Sequence, residues 1–178
     1  MTWISEQRTD LAAEKILDAA AQLFVEKGVT AVGMADVARR AGCSRATLYR
    51  YFDGRRALQL AFVHREARRI GAVVAAEVAG PDRVVDAIEI AVREVRADPT
   101  LIAWFRLGDA GLASEIAHSS DVIDALATGF LDGDEPLARW VVRVIVSLLT
   151  VPGRDNADER AMLEQFVAPL LQAPKTAR

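Results

Sequence analysis

The stretch that most restricts what this chain can fold into is residues 36–52, DVARRAGCSRATLYRYF. Val37, Ala38 and Ala41 carry apolar side chains at helical spacing on one face. Gly42 follows, and a glycine at that point lets the backbone take positive φ at a sharp helix exit. Ser44 stands one step before the next helical run, in the N-cap position, where its oxygen accepts from an exposed backbone N–H. Residues 45–52 read as a second helix, with Leu48 and Phe52 four apart on its buried side. Two helices this short bury too little apolar surface to stand alone, so neighbouring elements must brace them.

The brace comes just before. Residues 11–27 place Ile16, Leu17, Ala20, Leu23 and Phe24 on one helical stripe, and Gly28 ends the run. Val32, in the connector 29–32, is expected to plug the small core. Three helices then leave one surface short, polar and cationic: Ser44, Arg45, Ala46 and Thr47 at the start of the third. Side chains of that size reach base edges when a helix lies in a DNA major groove. Arg45 is the first choice for a base contact, because a guanidinium pairs bidentately with guanine O6 and N7. Thr47 suits a thymine methyl or a phosphate; Tyr49 and Tyr51 suit phosphates, which set register without reading sequence. Tyr51 has a second reading as a partly buried core residue.

Charge supports that direction. The chain has a net charge of −3, yet residues 1–70 hold 12 Lys+Arg against 8 Asp+Glu, a net of +4. Residues 71–178 hold 10 against 17, a net of −7. Arg39, Arg40, Arg45, Arg50, Arg55 and Arg56 cluster around the two short helices, as a phosphate-facing surface requires; a solvated helical face is the plainer reading of the same residues.

Residues 15–58 resemble the DNA-binding domain of the TetR (tetracycline-repressor-like) family of bacterial transcriptional regulators. Four pieces carry the likeness: KILDAAAQLFVEKG, DVARRAG, ATLYRYF, and a basic-then-Leu start to the next helix at residues 55–58. The resemblance implies DNA contacts from Ser44, Arg45, Ala46, Thr47, Tyr49, Arg50 and Tyr51, and from Arg55, where the family has a basic residue in the first turn of the fourth helix. A cation there, beside exposed helix N–H groups, suits a phosphate. One departure stands out. Where the family usually has Ser or Thr at the start of the second helix, this chain has Gly33, Met34 and Ala35. The readout is therefore expected to fall more heavily on the third helix.

Beyond residue 54 the chain continues as amphipathic helices. Expected runs are 55–79, 82–98 with Val84, Val85, Ile88, Ala91, Val92 and Val95 on a stripe, an apolar run opened by Pro99, an interruption at 108–111, one helix over 114–131, and two closing helices. The fold class is all-α: an N-terminal three-helix helix-turn-helix DNA-binding domain, 1–54, with a mobile lead-in over about 1–10, and a helical ligand-binding and dimerisation domain, 55–178. The last two helices present Leu137, Trp140, Val144, Leu148, Phe166 and Leu170 with no further element to cover them. The resemblance implies that they pair with a second copy as a homodimer, with Trp140, Val144, Leu148, Phe166 and Leu170 in the interface; completing the monomer core is the other reading. It also implies a small-molecule pocket, for which Phe62, Trp104, Phe105, His118 and Trp140 are candidates. Few polar residues lie within the stripes, so an apolar effector is expected. The partner DNA would be a near-palindromic operator, and the expected outcome is repression, relieved by ligand. Control by a protein partner, or constitutive binding with a filled C-terminal core, is the alternative.

Other chemistry finds little purchase. The two histidines, His64 and His118, lie in no metal-spaced cluster, so no metal, cofactor or catalytic residue is expected; His118 with Asp121, at i, i+3 spacing, reads as a surface or ligand contact. A single Cys43 excludes an internal disulfide framework and reads as a small turn residue. The longest apolar stretch, near 140–151, is interrupted by Arg143 and falls short of the roughly 20 residues a membrane span needs. Residues 1–13 have no apolar core of the kind a signal peptide carries. A cytoplasmic location is expected.

Overall fold

In the computed structural model the described residues are 3–78, 83–106 and 109–169; of 3–10, 110, 118 and 119 only the backbone is described. Among them there are ten helices and no strand: α1 (Trp3–Lys27), α2 (Met34–Ala41), α3 (Arg45–Tyr51), α4 (Gly54–Glu77), α5 (Arg83–Ala97), α6 (Pro99–Ile102) with a 3₁₀ turn over Ala103–Phe105, α7 (Ala110–Ser119), α8 (Asp121–Phe130), α9 (Glu135–Thr150) and α10 (Asn156–Phe166). No described helix is long and apolar enough to cross a membrane. The chain forms two compact units, each discontinuous in sequence. The first is Met1–Glu66 with Pro99–Ser120, and the second is Ala67–Asp98 with Asp121–Arg178.

The first unit is built on the α1 stripe. Ile16, Leu17, Ala20, Leu23 and Phe24 are all buried, as are Val37 and Ala38 of α2, against which α1 packs, and Leu48 of α3. Val29 and Val32 of the connector are buried as well. Three aromatics close the other side. Phe24 meets Phe62 edge-on at 5.4 Å and Trp104 edge-on at 5.3 Å, while Phe62 and Trp104 stack at 5.8 Å. These are the favoured geometries for aromatic quadrupoles. The helix-turn-helix corner follows the local chemistry. Gly42 takes φ +69° as the left-handed cap of α2, and its N–H and that of Cys43 return to the end of that helix. The N–H of Thr47 donates to Ser44 Oγ at 3.0 Å, starting α3.

The second unit pairs α5 with α9 and α10, and α8 with α9. Val84, Val85, Ile88, Val92 and Val95 of α5 are buried, as are Val141, Val142, Val146 and Leu149 of α9 and Leu163 of α10. Glu159 fastens α10. It is buried, accepts two hydrogen bonds from Arg96 at 2.8 Å each, and accepts a third from the N–H of Gly153 at 2.8 Å. The Arg96 guanidinium holds the Glu159 carboxyl below the usual carboxylate range, with burial opposing.

Two expectations are corrected. The helix expected to start near residue 11 begins at Trp3, so the lead-in is helical from that point. Residues 3–13 contain neither Gly nor Pro, and nothing in them halts propagation towards the N-terminus. The single helix expected over 114–131 is two helices broken at Ser120, whose backbone is extended and which is fully buried. Asp121 and Asp124 then favour a fresh N-terminus through the helix dipole.

Candidate nucleic-acid interface

Arg45, Ala46, Tyr49 and Arg50 form one exposed face of α3. Their spacing, i and i+4, stacks the side chains in two neighbouring rows. The opposite face carries the buried Leu48, and α3 packs against α2. Ser44 is exposed, but its oxygen caps α3 and lies 2.9 Å from the Thr47 hydroxyl. These two side chains thus satisfy one another. Tyr51 is half-buried, tilted against Phe52 at 6.5 Å, with the Arg50 guanidinium 5.3 Å from its ring centre. The Tyr51 ring packs, and part of it stays accessible.

The arginines around this face divide into two groups. Arg40 donates to both carboxylate oxygens of Glu26, at 2.8 and 2.6 Å, and to Gln22. Arg39 and Lys27 both pair with Asp36. The hydrogen bond from Arg40 holds Glu26 below the usual carboxylate range, and that from Lys27 does the same for Asp36. Both carboxylates are therefore ionised at neutral pH and offset the cations beside them. Arg56 pairs with Glu115 at 3.0 Å. Arg45 and Arg50 have no carboxylate partner among the described residues, so α3 carries uncompensated positive charge. Arg55 is exposed in the first turn of α4 and gives one N–H to the Thr30 carbonyl at 2.9 Å.

The connector between α1 and α2 is held from a distant part of the chain. Asp109 is buried, and its carboxylate accepts from the backbone N–H of Val29 at 3.2 Å and of Thr30 at 3.0 Å. Arg106 donates to the Val25 carbonyl at 3.0 Å. With Arg55 on the Thr30 carbonyl, three side chains fix the backbone that sets α2 and α3 in place. Sequence reading missed Asp109 and Arg106. Some 80 residues separate each from its partner, and neither belongs to a local motif.

Within the second unit lies a cavity of about 860 Å³, walled by α4, α5, α8 and α9. Its lining is mostly aliphatic or glycine, from Ile70 and Val74 to Ala87, Ala91, Leu126 and Ile145, with Phe130 and Arg83 the exceptions among the described residues. None of the expected aromatics lines it. Phe62 and Trp104 are buried in the aromatic cluster of the first unit, Phe105 is half-buried in that unit, and Trp140 is half-buried on α9. The side chain of His118 lies outside the described residues. On α9, Val144 and Leu148 are half-buried beside Trp140; on α10, Phe166 is 61% exposed and Met162 38%. Leu170 lies outside the described residues.

Known proteins agree with this geometry. The sequence model of the bacterial regulatory proteins of the tetR family matches residues 16–62. An uncharacterized HTH-type transcriptional regulator of Mycobacterium tuberculosis strain H37Rv is 46% identical, over 98% of this chain and 93% of its own length. Among solved structures, the TetR family repressor AlkX from a Dietzia strain, implicated in biodegradation of n-alkanes, superposes with a TM-score of 0.63 at 24% identity, over 90% of this chain and 95% of that one. RolR in complex with resorcinol superposes with a TM-score of 0.66 at 16% identity, over 95% and 97%. The chain belongs to the TetR family of helix-turn-helix transcriptional regulators.

Proposed function

We propose that this regulator is a repressor that reads a near-palindromic operator as a homodimer and leaves it when a small apolar ligand enters the cavity. Residues 1–54 act as the DNA-reading head and 55–178 as the effector-binding and dimerisation part. Ser44, Arg45, Ala46, Thr47, Tyr49, Arg50, Tyr51 and Arg55 form the DNA-facing surface, with Arg45 on base edges, Tyr49 and Arg55 on phosphates, and Ser44 and Thr47 shaping the helix start. The observation that carries the reading is the pairing pattern of the arginines. Arg39, Arg40 and Arg56 have carboxylate partners, whereas Arg45 and Arg50 project from α3 without one. The apolar cavity supports ligand release, and so does the likeness to RolR, a protein of this fold solved with resorcinol bound. Trp140, Val144, Leu148, Phe166 and Leu170 supply the dimer face.

An anisotropy titration of Arg45→Ala against the operator and a base-substituted series tests the assignment. Specific binding should weaken by about 1–3 kcal/mol, with discrimination lost at one base position. An equal loss on every duplex would move Arg45 to the phosphates. For release, a ligand that shifts operator affinity tenfold must bind the two conformations with a difference of about 1.4 kcal/mol.

A further inference from the structure

Every described residue that lines the cavity of the second unit is aliphatic, aromatic or glycine, apart from Arg83. Arg83 is the first residue of α5 and is exposed. Its Nη2 donates to the Phe130 carbonyl at 2.7 Å, and its guanidinium carbon lies 4.7 Å from the centre of the Phe130 ring. Phe130 also lines the cavity and ends α8. The guanidinium is thus fixed at the cavity wall by a hydrogen bond and a cation–π contact, with further N–H donors left for a planar acceptor. No described carboxylate pairs with it. The start of a helix adds positive potential at the same place.

We propose that the cavity takes an amphiphile, a single aliphatic chain ending in one carboxylate, with Arg83 holding the head group. This rests on the ligand-release reading above and narrows it from an apolar ligand to a monoanionic one. An anionic head anywhere else along these walls would lie against hydrocarbon without a partner, which is strongly unfavourable. At Arg83 it meets a paired fork of N–H donors and remains in reach of water. The rest of the described lining offers no hydrogen-bonding side chain, so it suits a ligand body of hydrocarbon. Small residues make the room: Ala67, Gly71, Ala75, Ala87 and Ala91 face the cavity where larger aliphatics would fill it. A volume of about 860 Å³ lies within the range, roughly 300–1,000 Å³, of small-molecule sites.

The test is calorimetric titration of the full chain, refolded to strip any carried ligand, with dodecanoate, methyl dodecanoate and dodecylammonium below their micelle concentrations. Dodecanoate should bind at least fivefold tighter than the ester, and dodecylammonium weakest. Across octanoate, decanoate and dodecanoate, each added methylene should tighten binding about fourfold. Arg83→Gln should erase the preference for carboxylate over ester and leave ester affinity within about twofold, while Arg83→Lys should keep part of the preference. Equal affinity of wild type for acid and ester, or an intact preference in Arg83→Gln, overturns the head-group assignment and leaves the apolar cavity as a ligand site. If Arg83→Gln fails to fold, the acid-to-ester ratio of wild type with Arg83→Lys still decides. Failure of all three compounds to bind a protein with a cooperative melt overturns both readings. Binding that weakens as protein concentration rises would mean that a second copy covers the cavity, and also overturns the proposal.

Discussion

At the scale of single residues, the surface of α3 depends on a few atoms. Ser44 Oγ receives the Thr47 N–H that begins the helix. Ser44→Ala should therefore lower stability by about 0.5–2 kcal/mol, read from chemical denaturation, and weaken DNA binding through disorder of the first turn. Ser44→Asp restores the cap but adds a negative charge. It should recover stability without recovering DNA affinity, which separates the capping role from the DNA-facing one. Arg55 offers a second test. Its guanidinium already serves the Thr30 carbonyl, and a phosphate would use its other donors. Arg55→Ala should weaken binding to all duplexes alike and reduce the slope of log affinity against log salt by about one unit. An unchanged slope in a folded variant would leave Arg55 a purely structural residue.

At the scale of elements, two carboxylates carry more than their neighbours. Asp109 joins α7 to the connector before α2. Asp109→Ala would strand two backbone N–H groups and should cost about 1–3 kcal/mol, with hydrogen exchange at Val29 and Thr30 rising more than in α9. Uniform loss of protection throughout the chain would deny the connector any special dependence on it. Glu159 joins α10 to α5. Its folded-state pKa lies below its unfolded value, so its contribution is present above the unfolded pKa and is lost as pH falls through the folded one. Glu159→Gln should lower stability at neutral pH by about 1–3 kcal/mol and flatten the fall in stability on acidification below the ordinary carboxylate range. A variant with the wild-type acid profile would remove Glu159 from the acid sensitivity.

Much of this organisation was legible in the sequence because it is local. The stripe from Ile16 to Phe24, the Gly42 exit, the Ser44 cap and the Leu48–Phe52 spacing each follow from residues within a few turns of one another. What was missed depends on distant partners or on what a face meets. Asp109 gains its meaning only when residue 29 is folded beside it. Ser120 breaks a helix without the Gly or Pro that punctuates sequence. The helix expected over 114–131 reads as mixed in character; none of the apolar residues of α8 is buried in the described structure, and Ile123, Leu126 and Phe130 line the cavity. Periodicity gives the same signal for a filled core and a cavity wall. The one hint available was the density of Ala and Gly on the facing helices. The aromatics offered the reverse lesson, since Phe62 and Trp104 interlock with Phe24 and leave no room for a ligand among themselves.

At the scale of the whole molecule, a charge of −3 is reconciled with DNA binding by distribution. The acidic excess lies beyond residue 70, and acidic partners offset Lys27, Arg39, Arg40 and Arg56 within the first unit. Arg45 and Arg50 on α3 and Arg55 at the start of α4 are among the cations left without a carboxylate partner among the described residues. In the proposed dimer, two copies of α3 would meet successive major grooves, with half-site centres about 34–36 Å apart. Phe166→Glu, placing a charge on the exposed face of α10, should shift the protein towards monomer in sedimentation equilibrium and weaken operator binding without changing far-ultraviolet circular dichroism. The central claim, sequence-specific recognition by α3 of a dimer, is tested most directly by selecting bound duplexes from a random pool with the ligand-stripped full chain, then titrating the winner at two salt concentrations. The expected result is a two-fold symmetric motif, bound far more tightly than random DNA and more weakly at the higher salt. A folded, ligand-free protein that enriches no motif would contradict it.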